Sequence, residues 1–151
     1  MNTQTQAAHV TVSMLMTREV VTVRPDISVD SAVEIMLDQG LSRMPVVDEA
    51  GALLGVFSKT DVVEDSHARG DTEEVDAREA GEGSHIHTAG PFVSELMSRS
   101  PVTVNDSEPL ARAAELMSVY QLHALPVLSS SLKLVGIISS MDVMTWVAGL
   151  G

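Results

Sequence analysis

The stretch "VSMLMTREVVTV", Val12 to Val23, returns as "VSELMSRSPVTV", Val93 to Val104, at an offset of 81 residues. The offset holds without a gap through Asp61 and Val62 against Asp142 and Val143, and 19 of the 51 aligned positions are identical. Among them are Met16/Met97, Thr22/Thr103, Met36/Met117, Pro45/Pro126, Gly55/Gly136, Ser58/Ser139 and Asp61/Asp142. A gapless match of this length marks a duplication, and a duplication decides the architecture before any other feature does. Each unit is too short for a generous core of its own, so the two are expected to pack together through apolar faces.

Working outward from that stretch, each copy reads the same way. A short amphipathic segment, "VSMLM" or "VSELM", precedes an extended β-branched run, "VVTV" or "VTV". A helix follows. In the first copy Val29, Ala32, Val33, Met36 and Leu37 keep the spacing of one buried face, Ser28 suits the N-cap, Asp30 the positive helix start and Gly40 the stop. In the second copy Leu110, Ala113, Ala114 and Met117 make the stripe and Pro109 suits a first turn. Two apolar strands come next, Met44–Val47 with Leu53–Phe57, and Leu125–Leu128 with Leu134–Ile138. A last helix begins after each serine of "GVFSKTD" and "GIISSMD". The expected fold is mixed α+β, with two tandem motifs of the order β-α-β-β-α. The expected boundaries are a tail over 1–11, motifs over 12–63 and 91–147, an acidic exposed linker over 64–90 and a tail over 148–151.

Composition narrows the function. The 151 residues are 44% hydrophobic but only 3% aromatic, so aliphatic and Met side chains fill the core. Cysteine is absent, which excludes disulfides, thiolate catalysis and Cys-based zinc sites. A net charge of −12 without a basic stripe argues against nucleic acid as partner. No apolar run approaches the ~20 residues of a membrane span, and the first ten residues lack the pattern of a secretory signal, so a soluble cytoplasmic protein is expected. Half the charge, −6, lies in Glu64 to Gly90. His85-x-His87 and His67 there read as solvated linker histidines rather than as a metal site. No Walker loop, nucleophile elbow, HExxH motif or paired-carboxylate motif is present, so no catalytic residue and no enzyme is expected.

The repeated phrase S-x-x-D has two chemistries. It is close to a capping box, in which serine and aspartate satisfy the first amides of a helix. It also suits a ligand site. An aspartate accepts from paired hydroxyls, a serine at a helix start sits beside free N–H groups that attract anions, and the aliphatic strands can enclose an apolar group. Arg43, in "SRMP", offers a forked donor set for phosphate, and His123, in "HALP", a pH-dependent one.

The repeat resembles the CBS domain, named after cystathionine beta-synthase. The residues that carry the likeness are "VTVRPDISVDSAVEIMLDQGLSRMPVVDEAGALLGVFSKTDVV" and "VTVNDSEPLARAAELMSVYQLHALPVLSSSLKLVGIISSMDVM". Two tandem copies form a CBS pair, or Bateman module, and the chain looks like a stand-alone protein of that kind. The resemblance implies that the two β-α-β-β-α motifs pack through their sheets with pseudo-twofold symmetry. The resemblance implies a non-catalytic regulatory sensor of adenosine-containing ligands: AMP, ADP, ATP or S-adenosylmethionine, with Mg²⁺ accompanying ATP in some members, and no obligatory cofactor. It implies a homodimer through CBS-pair faces and a regulated protein whose identity the sequence does not name. The alternative is a structural dimerisation scaffold with empty clefts. It further implies that each site is shared between units. One site would comprise Ser58, Lys59, Asp61, Thr103, Val104, His123, Ala124 and Leu125. The other would comprise Ser139, Asp142, Thr22, Val23, Ser42, Arg43 and Met44. No metal ligand is expected.

Overall fold

A computed structural model of the chain describes residues 2–69 and 91–149. The elements in the first half are α1 (Thr3–Ala7), α2 (Val12–Leu15), α3 (Val29–Gln39), β1 (Arg43–Val47), β2 (Leu53–Ser58) and α4 (Lys59–Arg69). The second half has α5 (Val93–Leu96), β3 (Ser98–Arg99), β4 (Val104–Asn105), α6 (Leu110–Tyr120), β5 (Ala124–Leu128), β6 (Leu134–Ser139) and α7 (Ser140–Val147). The fold is the expected mixture of small sheets and helices in two copies.

Local chemistry explains the long helices. Ser28 caps α3 by accepting from the Ser31 N–H at 3.1 Å, and Gly40 ends it in the left-handed region at φ 66°. In α6 the same stop falls on Gln121 at φ 54°, and Pro109 stands at the N-cap rather than inside the first turn. Val29, Ala32 and Met36 are buried, as are Leu110, Ala113 and Met117. Leu37, expected in the buried stripe, is 66% exposed. The stripe is narrower than the sequence suggested because the core of Met44, Val46 and Phe57 takes up Val29, Ala32 and Met36 and leaves Leu37 on the solvent side.

Each sheet is built around a hairpin. β1 and β2 pair antiparallel with Arg43 opposite Ser58 and Pro45 opposite Val56. β5 and β6 repeat this with Ala124 opposite Ser139 and Pro126 opposite Ile137, and both hairpins carry an irregularity at the same place, Val46/Val47 and Val127/Leu128. The β-branched runs contribute little strand. Val23 makes one parallel bridge to Val46, and β4 pairs parallel with β5 over two residues. Hydrogen bonds from Val23 N–H to the Pro45 carbonyl and from Val47 N–H to the Val23 carbonyl hold the first of these.

The opposite edge of each sheet comes from the other repeat. β3, which belongs to repeat 2, pairs antiparallel with β2 of repeat 1: Gly55 lies opposite Arg99 and Val56 opposite Ser98. In return Thr17 of repeat 1 bridges Ile137 in β6, with both N–H groups donating across at 2.8 and 2.9 Å. The short helices travel with these strands. Val12 and Met16 are buried in a core with Val104, Leu110, Met117, Leu125 and Ile138 of repeat 2. Val93 and Met97 are buried with Val29, Met36, Met44 and Phe57 of repeat 1. The units therefore do not merely pack face to face. Each completes the other's core by exchanging its leading helix and strand.

The exchange also decides the two strand glycines. A Cβ on Gly55 would stand 2.5 Å from the Ser98 carbonyl oxygen, and one on Gly136 would stand 2.8 Å from the Thr17 carbonyl and 2.7 Å from Met16 Sδ. Arg18 and Arg99 each donate from Nη2 at 3.1 Å to a carbonyl of the exchanged helix before them, Ser13 and Ser94. The expected tail over 1–11 contains α1 and is tied to repeat 2, where Leu110 N–H donates to the Val10 carbonyl at 2.7 Å. α4 continues to Arg69, past the expected start of the linker at Glu64. Residues 70–90, with His85 and His87, lie outside the described residues, and His67 is exposed on α4.

Candidate functional site

The phrase that ends each hairpin forms a reciprocal capping box in both repeats. Ser58 N–H donates to Asp61 Oδ2 at 2.8 Å and Asp61 N–H donates to Ser58 Oγ at 3.3 Å. Ser139 and Asp142 repeat it at 2.8 and 3.1 Å. A further bond anchors each helix start to the strand before it: Lys59 N–H donates to the Ser42 carbonyl at 3.0 Å, and Ser140 N–H to the His123 carbonyl at 2.8 Å. The capping reading of S-x-x-D is therefore present in the fold. It does not consume the aspartate, since the second carboxylate oxygen of Asp61 makes no hydrogen bond among the described residues.

A cleft of about 710 Å³ opens beside the first box, between the two repeats. One wall is β1, β2 and the start of α4, with Ser42, Arg43, Pro45, Val56, Ser58 and Asp61. The facing wall is Leu122, Ala124, Leu125, Pro126 and Ile137 of repeat 2. The exchanged segment Ser98–Val102 closes one end, and Ser100 there holds φ 53°. The sheet register explains the composition. Residues paired across antiparallel strands share a face. Arg43 with Ser58, Pro45 with Val56, and Ser98 with Val56 therefore stand on the cleft face, while Phe57 and Met44 turn into the core. The result is an apolar slot edged by hydroxyls, by the carboxylates of Asp61 and Glu64 and by the guanidiniums of Arg43 and Arg99. Arg43 makes no hydrogen bond or ion pair among the described residues, so its forked donor set remains open.

The expected site residues distribute as follows. Ser58, Asp61, Ala124 and Leu125, expected in one site, line this cleft together. Ser42 and Arg43, expected beside Asp142, also line it, because the β1–β2 pairing sets Arg43 directly opposite Ser58. Lys59, Thr103, Val104 and His123 are not among its lining residues. Val104, Val23 and Met44 are buried in the two cores, so their side chains face the cores rather than a rim, and Leu125, although it borders the cleft, is buried in the same way. Thr22, Lys59 and His123 are exposed, and Thr103, Ser139 and Asp142 are half-buried. Sequence reasoning did not single out Thr60, Glu64 or the segment Ser98–Val102 as cleft residues. The first two sit one position before and one turn after Asp61 on α4, a spacing that marks them as neighbours on a helix. The third follows only from strand exchange. Among the described residues no group of three or more His, Asp or Glu side chains could hold a metal, and no helix is long and apolar enough to cross a membrane.

Comparison with known proteins identifies the family and the fold. The family model of the CBS domain matches twice, over residues 12–67 and 93–149. A CBS domain-containing protein of Dictyostelium discoideum is 31% identical over 137 residues, covering 89% of each chain. A homoserine O-acetyltransferase of Methanococcoides burtonii is 29% identical over 135 residues; the match covers 89% of this chain, which spans only 24% of that enzyme. The structure of CBSX2 of Arabidopsis thaliana in complex with AMP superposes with a TM-score of 0.74 at 29% identity, covering 93% of this chain and 98% of that one.

Proposed function

The chain belongs to the CBS-domain family as a tandem pair, and from that premise we propose that it is a non-catalytic regulatory module whose cleft takes an adenosine-containing ligand. The observation that carries this reading is the cleft itself. It offers an apolar slot from both repeats, a carboxylate with an unused oxygen at Asp61 and an open guanidinium at Arg43. Asp61 would receive the ribose hydroxyls. Ser58, the first amides of α4 and Arg43 would receive phosphate, where the helix start and the cation add. Pro45, Val56, Pro126 and Ile137 would enclose the base. The AMP complex of CBSX2, with the same fold at 29% identity, supports adenosine as the ligand class.

Occupancy has a route to a response. The ligand would touch β1–β2, the facing hairpin and the exchanged segment Ser98–Val102, so it would tie together three pieces whose relative positions define the pair. A ligand that prefers one arrangement shifts the population toward it. The readout would be a regulated protein or a second copy of this chain. Met141, Met144 and Val147 repeat at three-residue spacing on the outer face of α7 and are 63, 54 and 57% exposed, which supports self-association there.

The test is titration of nucleotide-stripped protein with AMP, ADP, ATP and S-adenosylmethionine, read by calorimetry and by melting temperature. A sensor gains stability with occupancy, about 2.7 kcal/mol at a hundredfold excess over Kd. Asp61→Ala removes that gain for this cleft. A dimerisation scaffold shows no heat and no gain with any of the four ligands, and that result refutes the sensor reading.

A further inference from the structure

We infer that this cleft is built for a single phosphate group, and that Glu64 sets the limit by opposing any longer phosphate chain. The inference rests on the adenosine reading above and adds which member of that ligand class fits.

The charges lining the cleft walls make the argument. On the cleft face of sheet 1 the register places one cation, Arg43, opposite Ser58. The other arginine of the lining, Arg99, pairs with Gly55 on the opposite face and donates to the Ser94 carbonyl. Two carboxylates line the same space, Asp61 and Glu64. They are three residues apart on α4, so they share one side of the helix, with Glu64 one turn farther from its positive end. The remaining polar groups of the cleft are the hydroxyls of Ser42, Ser58, Thr60, Ser98 and Ser100.

One phosphate between Arg43 and the start of α4 meets a guanidinium fork, hydroxyls and helix amides. A second and third phosphate meet no further guanidinium with an unengaged fork, since Arg99 is held on the Ser94 carbonyl. They meet Glu64 instead, within a chain of net charge −12. Repeat 2 lacks both elements. The position matching Arg43 is Ala124 and the position matching Glu64 is Thr145, so any selectivity of this kind belongs to the Asp61 cleft alone.

The experiment compares adenosine, AMP and ATP in magnesium-free buffer at fixed ionic strength. It uses an Asp142→Ala background to confine binding to this cleft, with S-adenosylmethionine as a cationic control. The expected order is AMP over ATP by roughly tenfold or more, and AMP over adenosine by a similar factor. Glu64→Gln narrows the AMP-to-ATP ratio severalfold, and Glu64→Lys narrows or inverts it. Arg43→Gln lowers the AMP-to-adenosine ratio about tenfold. Glu64 is exposed, so both of its variants retain the apo melting transition that certifies the fold. Equal affinity for AMP and ATP, a ratio unmoved by both Glu64 variants, or S-adenosylmethionine binding more tightly than AMP overturns this inference while leaving the adenosine reading intact. If none of these ligands binds, both fall.

Discussion

Gly55 and Ser98 touch across the boundary between the repeats: the glycine Cα lies so close to the serine carbonyl that a Cβ would stand 2.5 Å from its oxygen. The contact exists because β3, from repeat 2, is the third strand of sheet 1. Gly136 has the same relation to the Thr17 carbonyl. Gly55→Ala is therefore expected to push the exchanged strand off its sheet and cost about 1–3 kcal/mol. Gly136→Ala acts on the matching contact, where Met16 Sδ can move but the Thr17 carbonyl cannot without losing its bridge. Urea unfolding of the two variants measures both costs, and a neutral Gly55→Ala would remove the packing account of the glycine.

Strand exchange makes a second expectation that sequence proximity would get backwards. Val12 is in repeat 1 but is fully buried among core residues of repeat 2. Val12→Ala leaves a cavity there and is expected to accelerate amide exchange in β5 and β6 before β1 and β2. Val93→Ala should do the reverse, because Val93 is buried with Phe57 and Met44. Hydrogen exchange by mass spectrometry resolves the two hairpins.

Met36 and Leu37 are neighbours on α3 with opposite fates. Met36 is 0% exposed and Leu37 66%. Met36→Ala should cost about 3 kcal/mol as a buried truncation, and Leu37→Ala no more than about 0.5 kcal/mol. Denaturation midpoints at equal m-value separate them.

The capping box and the ligand role of each aspartate can be separated by stability without ligand. Ser139→Ala removes the acceptor for Asp142 N–H, 3.1 Å away, and should cost about 1 kcal/mol in stripped protein. Ser58→Ala should cost a similar amount. In Ser58→Ala any additional loss of AMP-dependent stabilisation reports the cleft, since capping alone lowers the bound and free melting temperatures equally.

Met144 stands midway along the exposed apolar face of α7 at 54% exposure. Met144→Glu places a charge there, and a second copy docked on this face would have to bury it. Sedimentation velocity should show a shift from dimer to monomer with the folded far-UV spectrum retained. A monomeric wild type, or a dimer untouched by the change, would assign self-association to another surface or to none.

Much of this was legible in the residues. A fixed offset of 81 announced duplication, and helical spacing with capping residues located α3 and α6, because those signals are local and repeat. The phrase S-x-x-D was readable as a cap for the same reason, since both partners lie within one turn. Leu37 was misjudged because periodicity marks a face but not its width. Arg43 was expected beside Asp142, yet it lines the cleft of Asp61. Cross-strand register sets Arg43 opposite Ser58, and register is a relation between distant residues that composition does not encode.

The sequence by itself determined that there are two copies of one unit, where the long helices and the two hairpins lie, and which side chains carry charge and hydroxyls. Only the tertiary structure decided that the copies trade their leading helix and strand, that Gly55 and Gly136 exist to admit that trade, and which polar groups share one cleft. The physical reason is that local propensity and burial pattern act within a few residues. The choice of which sheet edge a strand completes depends on where unsatisfied backbone groups and unburied apolar faces meet in three dimensions.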